Sequence, residues 1–518
     1  MAPAQKATAR DVLPRERIAP ETAAAALGSD IKRGALWAAG STVLLRLSNI
    51  ALMAVVARIV SPDELGIFTL AVTIHTVVVS VAELGTASAI ARSDLDVGRI
   101  APTVAMVSII TSLSMAVPMF VFADDIASLL GSSEAGPSMK ILALGIALIG
   151  PFAVPGALLQ RSFRQNVIFW ASAISFVPGS ATLVLLALQG SGPEAFAWSR
   201  VVGQVIMGAI MVGATGRPVI PRLDPAVVKP LLRFGLPLAG ANLLSQVLLN
   251  ADYIFIGRML TATELGIYFL AFSVAMWPTA VIGSMLNGLV LPAISTVLRD
   301  GGDVAQAVKL GLRTVALVAF PLAAFLCVFS NALVETIYGP AWLGAAAVLS
   351  VLSVYGALSV VGLFLANVII ATGRTGVLLA VQVCALAALL PGLVAGINLG
   401  GIVGAATAHV IVVVAVTSPV YVNALRRSTD LRIPALLSAL FIPALTAALT
   451  ALTAWTATLA LMNPLLKLLI GGLIGLCLYT FLNRQDISRL VPAALLPRFI
   501  KARSPFRSRT RGHKRSAE

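Results

Sequence analysis

The sequence predicts an all-α polytopic membrane protein with fourteen transmembrane helices: two six-helix lobes in parallel repeat, then a C-terminal helix pair. Three observations predict it. Of the 518 residues, 58% are hydrophobic and 11% charged, against about 25% charged in soluble domains. Apolar runs long enough to cross a bilayer as helix, about twenty residues, recur throughout the chain. Finally, Arg58-Ile-Val-Ser-Pro-Asp-Glu-Leu-Gly-Ile-Phe-Thr-Leu-Ala71 returns 200 residues later, without a gap, as Arg258-Met-Leu-Thr-Ala-Thr-Glu-Leu-Gly-Ile-Tyr-Phe-Leu-Ala271. The register extends upstream, where Arg33, Leu36, Ala39 and Gly40 face Arg233, Leu236, Ala239 and Gly240. Such self-similarity makes the chain two related halves.

Residues 1–33 are polar and basic (Lys6, Arg10, Arg15, Arg17, Lys32, Arg33), with no apolar core and cleavage site before the first long run. They read as a cytoplasmic tail rather than a signal peptide. The first lobe, 34–215, holds runs at roughly 34–60, 67–90, 100–123, 138–160, 167–189 and 194–215. A polar, basic, Pro-bearing linker follows over 216–233. The second lobe, 234–424, holds runs at roughly 234–260, 267–291, 308–330, 341–372, 375–397 and 400–424. Two further runs, within 433–482, have no partner in the first half, and 483–518 is a strongly basic tail.

The repeated motif reads as a tight turn between helices. Arg58 ends an apolar run, where the helix dipole favours a cation. Ser61 is then an N-cap, Pro62 the first helical residue and Glu64 the third position of a capping box, and Thr261 with Glu264 repeats the box. Cys327, Cys384 and Cys477 each sit in an apolar run, with no metal spacing and no disulfide framework, and are expected as small core residues. Pro151, Pro155, Pro278 and Pro321 interrupt runs and should kink or weaken those helices.

Orientation follows from loop charge. With the N-terminus inside, inner segments hold about thirty of the 37 Lys and Arg, and outer segments about four: Arg58, Lys140, Arg258 and Lys467. A miscounted helix would blur that asymmetry, so both termini are expected in the cytoplasm. The net charge of +15 is thus a loop and tail charge facing anionic lipid headgroups, not a nucleic-acid surface. Six helices per half is an even number, so the repeats share one orientation, and a substrate site between them near the midplane is expected.

Polar residues in the leading runs mark that site. Thr42, Arg46 and Asn49 share a face of the first run, as do Asn242, Gln246 and Asn250 in the seventh. At the 200-residue offset Arg46 matches Gln246 and Thr42 matches Asn242. An intramembrane arginine faces a cavity or a partner, which suggests a hydrated, partly cationic cavity with the two leading helices face to face across it. Amides that bond helix to helix are the alternative. His75 and Glu83 in the second run and Asp252 in the seventh are further ionisable groups. Glu83 suits an ion pair, a proton or cation site or a snorkelling end; His75 suits helix packing or a proton relay; Asp252 suits an ion pair with Arg258. Arg200 follows Trp198 and reads as an interface anchor, and His409 receives no role. No catalytic constellation, metal-spaced cluster or phosphate-cradling loop occurs, so no cofactor and no enzymatic reaction is expected.

Leu45-Arg46-Leu-Ser-Asn-Ile50, continuing to Ala57-Arg58-Ile-Val-Ser-Pro-Asp-Glu-Leu-Gly-Ile-Phe68, resembles the first helix and turn of bacterial O-antigen and exopolysaccharide (Wzx-type) flippases. Their superfamily also holds the lipid II flippase and the multidrug extruders. Val81-Ala-Glu83-Leu-Gly85, running to Arg92, is similar to that family's acidic-Leu-Gly segment, and Leu291-Pro292-Ala-Ile-Ser295 to its segment ending the eighth helix. The resemblance covers about 30–430. It implies alternating access of two lobes around a cationic cavity in the bacterial inner membrane. The implied cargo is an undecaprenyl-diphosphate-linked oligosaccharide, moved from the cytoplasmic to the periplasmic leaflet for surface polysaccharide, with polysaccharide polymerase and chain-length machinery as further partners. Of that family's cavity arginines only Arg46 has its counterpart here; a lipid II-type second arginine would fall near Leu52, against lipid II as cargo. A cation-coupled drug extruder would favour acidic cavity residues, for which Glu83 and Asp252 are the candidates. A membrane glycosyl polymerase or ligase would need a substantial outer loop, and the longest, near 124–139, is short.

Overall fold

In hydrocarbon every backbone N–H and C=O must be satisfied within the chain, which leaves helices for runs of this kind. The computed structural model describes residues 47–82, 97–162, 164–216, 219–374, 376–427 and 433–490, and no strand occurs among them. Thr42, Arg46 and Glu83 lie outside the described residues. The first half contains α1 (Leu47–Val56), α2 (Pro62–Ala82), α3 (Val97–Val121), α4 (Ala123–Leu129), α5 (Ala135–Arg161), α6 (Gln165–Leu188) and α7 (Gly192–Thr215). The second contains α8 (Pro225–Met259), α9 (Ala262–Ala275), α10 (Trp277–Arg299), α11 (Val304–Val328), α12 (Ser330–Ile337), α13 (Gly344–Ala371), α14 (Gly376–Val412) and α15 (Ser418–Arg426). Then follow α16 (Ile433–Ala457), α17 (Pro464–Leu482) and α18 (Arg484–Leu490). Twelve helical segments among the described residues are long and apolar enough to cross a membrane, and α1 is a shorter apolar helix. The chain is a multi-pass membrane protein.

Local chemistry sets the boundaries. Both expected capping boxes form: the Ser61 N–H donates to Glu64 Oε2 at 2.8 Å and the Glu64 N–H to Ser61 Oγ at 3.3 Å, and Thr261 and Glu264 do the same at 3.0 and 3.2 Å. Pro278 divides the eighth run into α9 and α10, entering the first turn of α10, where its missing N–H costs nothing. The linker expected over 216–233 is helical from Pro225: Asp224 accepts the Ala226 N–H at 3.0 Å, so an Asp N-cap before a first-turn Pro starts α8 early.

Within α14 the backbone leaves the helix at Gly400 (φ −154°) and Gly401 (φ 55°). Past that point Gly404 abuts Gly396, and Gly392 lies opposite Ala408, so α14 is two antiparallel arms, corresponding to the runs at 375–397 and 400–424. Gly401 supplies the left-handed residue that lets the chain reverse at no steric cost. The short helices α4 and α12 escape the sequence reading because seven or eight residues of mixed polarity carry no resolvable period.

The terminal pair is fastened to the second half. The Tyr479 hydroxyl donates to the Leu317 carbonyl of α11 at 3.1 Å, and the Phe329 ring packs on Gly471. Arg313 of α11 pairs with Asp486 of α18 at 2.6 Å, both partly buried. Cys327 is half-buried, but Cys384 and Cys477 are exposed. That corrects the expectation of core cysteines. In a membrane protein an apolar run has a lipid face as well as a core face, and hydropathy alone does not separate them.

Candidate functional site

The repeated motif packs against itself. The N-terminal turns of α2 and α9 cross where a Cβ on Gly66 would lie 1.8 Å from the Ala262 carbonyl oxygen, and one on Gly266 1.9 Å from that of Pro62. Each repeat glycine therefore presses on the opposite half's backbone about one two-fold axis. The Thr263 hydroxyl donates to Asp63 Oδ1 at 3.1 Å across the same crossing. The flanks follow the symmetry. Trp342, fully buried, donates its indole N–H to the Ala57 carbonyl at 2.8 Å, and the Arg58 guanidinium donates to the Thr336 carbonyl at 2.8 Å. On the other side Gly131 (φ 100°) sits against the Gly257 carbonyl near the end of α8. Each half thus lends the loop after its short helix to cover the end of the other half's leading helix, where carbonyls lack partners of their own. The two halves are sealed at this end.

The innermost pair of the seal is α2 with α9, the second helix of each half, while the ends of α1 and α8 dock on the opposite half's loops. Gly66 and Gly266 let these two helix backbones touch. The expected approach of the two leading helices involves Thr42 and Arg46, which lie outside the described residues.

The predicted polar stripe is present in part. Asn242, Gln246 and Asn250 are half-buried on α8, and Asn49 is exposed on α1. Asn250 donates to the Gln246 carbonyl at 2.7 Å, within its own helix and not as glue between helices.

Asp252 is 1% exposed, and its partner is not Arg258, which is exposed at the helix end. One carboxylate oxygen accepts the Tyr253 N–H at 3.0 Å; the other accepts the Tyr268 hydroxyl at 3.0 Å and lies 3.4 Å from His409 Nε2. That last approach is not a hydrogen bond. The Tyr355 and Phe272 rings flank the imidazole at 4.9 and 6.0 Å. Four helical segments therefore converge on a buried carboxylate beside an imidazole. His409 carried no visible signal because the 200-residue register breaks before it. Glu64 approaches Gly192 at the start of α7, and Glu264 approaches Gly401 at the start of the second arm of α14. Counted from those glycines, His409 corresponds to Arg200.

In the first half Arg200 is exposed, with its guanidinium carbon 6.0 Å from the ring centroid of the buried Phe68. His75 is half-buried; its neighbour Gln204 donates to the Gly145 carbonyl at 2.9 Å, and His75 Nδ1 is buried without a partner among the described residues.

Three comparisons bear on this arrangement. Residues 55–347, more than half of the chain and including both copies of the motif, match the model of a family described as polysaccharide biosynthesis protein. The chain is 25% identical over 381 residues to the lipopolysaccharide biosynthesis protein WzxC of Escherichia coli, covering 72% of this chain and 76% of that protein. It is 27% identical over 307 residues to the succinoglycan biosynthesis transport protein ExoT of Rhizobium meliloti, covering 58% and 60%. Its fold is similar to that of the lipid II flippase MurJ in an inward closed conformation, with a TM-score of 0.70 at 14% identity over 86% of this chain and 98% of the other.

Proposed function

The chain belongs to the polysaccharide biosynthesis protein family, and from that premise we propose that it is a flippase. It carries undecaprenyl-diphosphate-linked oligosaccharide from the cytoplasmic to the periplasmic leaflet of the bacterial inner membrane. The observation that carries the reading is the family match over 55–347, the stretch whose two repeats form the seal. Relatives named for lipopolysaccharide biosynthesis and succinoglycan transport support the cargo class.

In this reading fourteen helices form two six-helix lobes, 34–215 and 234–424, with the pair in 433–482 riding on the second. Twelve candidate spans, the fold-back at Gly400 and Gly401 and the apolar α1 support that count. Both termini are cytoplasmic, so the seal is periplasmic. Cargo enters a cleft open to the cytoplasm, the seal parts, and the lobes rock about the axis between Gly66 and Gly266. Arg46, Thr42, Asn49, Asn242, Gln246 and Asn250 line the path, and Asp252, bonded to Tyr268 and beside His409, is the coupling candidate on α8. His75 and Glu83 remain candidates for the same coupling in the first lobe. A drug extruder would present acid to a cationic cargo, but Asp252 is already engaged by Tyr268 and His409. Transport needs no enzymatic step. Polymerase and chain-length proteins would act on the delivered product.

The test is deletion of the gene in its host. Surface polysaccharide should be lost while lipid-linked oligosaccharide accumulates, and both should be restored by the intact chain. Normal surface polysaccharide in the deletion strain would refute the reading.

A further inference from the structure

Arg200 and His409 occupy corresponding places in the two halves, eight residues after Gly192 and Gly401. Their surroundings differ in kind. Where His409 faces Asp252, itself bonded to Tyr268, the repeat equivalents of those two residues are Leu52 and Phe68, and Phe68 lies under Arg200. The second half sets a carboxylate 3.4 Å from its imidazole. Among the described residues the first half supplies a ring face and no acceptor. Among the described residues Arg200 has no ion pair and no hydrogen bond. The residue is open to water although Phe68 beneath it is buried. Both hold for a side chain lining an internal hydrated cleft.

A guanidinium has five donors and cannot lose its charge. An intramembrane cation without an acceptor marks a ligand path. A second observation points the same way. His75 lies seven residues after Phe68, hence on the same face of α2 two turns further from the seal, and its buried Nδ1 lacks a partner among the described residues. Phe68 itself lies within a turn of Gly66, so Arg200 stands just inside the seal. Phe68 holds the cation by its ring face, leaving the fork free for a planar pair of oxygens.

We propose that Arg200 is the anion anchor beneath the seal and takes the diphosphate of the lipid-linked cargo in paired, charge-assisted hydrogen bonds, with His75 as a second polar group below it. This rests on the flippase reading. A phosphate on a bilayer headgroup offers the same chemistry, so the experiment separates the two sources.

The full chain, purified in detergent, is titrated with undecaprenyl diphosphate, with phosphatidylglycerol as competitor and its unliganded melting temperature as the folding control. Losing charged hydrogen bonds should weaken Arg200→Gln binding about 10- to 100-fold. Arg200→Lys, keeping the charge without the fork, should fall between, and phosphatidylglycerol should compete poorly. Unchanged affinity in Arg200→Gln would overturn the assignment while leaving the flippase reading intact. Competition by phosphatidylglycerol at equal concentration would overturn it in favour of a bilayer headgroup. If the unaltered chain binds no undecaprenyl diphosphate, the flippase reading fails and the anchor with it. Should Arg200→Gln melt early, the Arg200→Lys affinity decides: equality with the unaltered chain would again overturn the anchor.

Discussion

Replacing Gly66 with alanine should loosen the seal without harming either half. The added Cβ would lie 1.8 Å from the Ala262 carbonyl oxygen and 2.6 Å from its carbon. Real contacts of this kind do not fall below 3.0 Å, and the obstacle is backbone, which has no rotamer to yield. The two helices must therefore part by at least about 1 Å at the crossing. Overpacking of this size costs about 1–3 kcal/mol, and here the cost falls on the sealed arrangement alone. The population of that arrangement should then drop about 5- to 150-fold relative to the open one. The Thr263–Asp63 hydrogen bond, 3.1 Å long, gives a reporter. In Asp63→Cys/Thr263→Cys the paired cysteines should cross-link under mild oxidant in isolated membranes. Adding Gly66→Ala should slow cross-linking about 5-fold or more, and Gly266→Ala, whose Cβ meets Pro62 in the same way, should match it. Cross-linking at the original rate, with protein amounts equal, would refute the backbone seal.

Three further outcomes are expected. Arg46→Ala should lose most polysaccharide export at unchanged membrane levels and Arg46→Lys should keep part, because lysine retains charge but not the paired fork; quantitative blots beside export assays check it, and a collapse in protein level would instead assign Arg46 to folding. Removing one member of a buried pair typically costs about 3–5 kcal/mol, so Asp252→Ala should clearly lower the melting temperature in detergent, whereas Asp252→Asn, which can still accept from Tyr268, should lower it less and impair transport more than stability. Reporter fusions after residues 63, 263 and 400 should read periplasmic and those after 225 and 500 cytoplasmic, and a cytoplasmic reading at 263 would break the two-lobe assignment.

The parts of the molecule that the sequence made legible are those that physics writes locally. The capping boxes at Ser61 and Thr261, the break at Pro278 and the long apolar helices follow from side chains acting within a few residues of themselves. The repeat announced a two-fold relation but not that its own glycines form the contact, because which faces meet is a property of packing. Asp252 was visible as an ionisable group in an apolar run, and its true partner was not. His409 lies 157 residues away in sequence, past an insertion that shifts the register from 200 to 209. Arg200 next to Trp198 reads as an interface anchor, and its approach to the buried Phe68 ring of the second helix is a packing fact that no local pattern carries. The exposed Cys384 and Cys477 were misplaced because lipid and core are alike to hydropathy.

Reconstitution tests the flippase reading most directly. The chain is placed in proteoliposomes loaded with undecaprenyl-diphosphate oligosaccharide, and an added glycan-cleaving enzyme reports how much lies in the outer leaflet. The predicted result is cleavage beyond the initial outer-leaflet fraction, dependent on the protein and stopped by oxidising the Asp63→Cys/Thr263→Cys pair. Cleavage that halts at the outer-leaflet fraction, with folded protein present and the cysteine pair reduced, would contradict it.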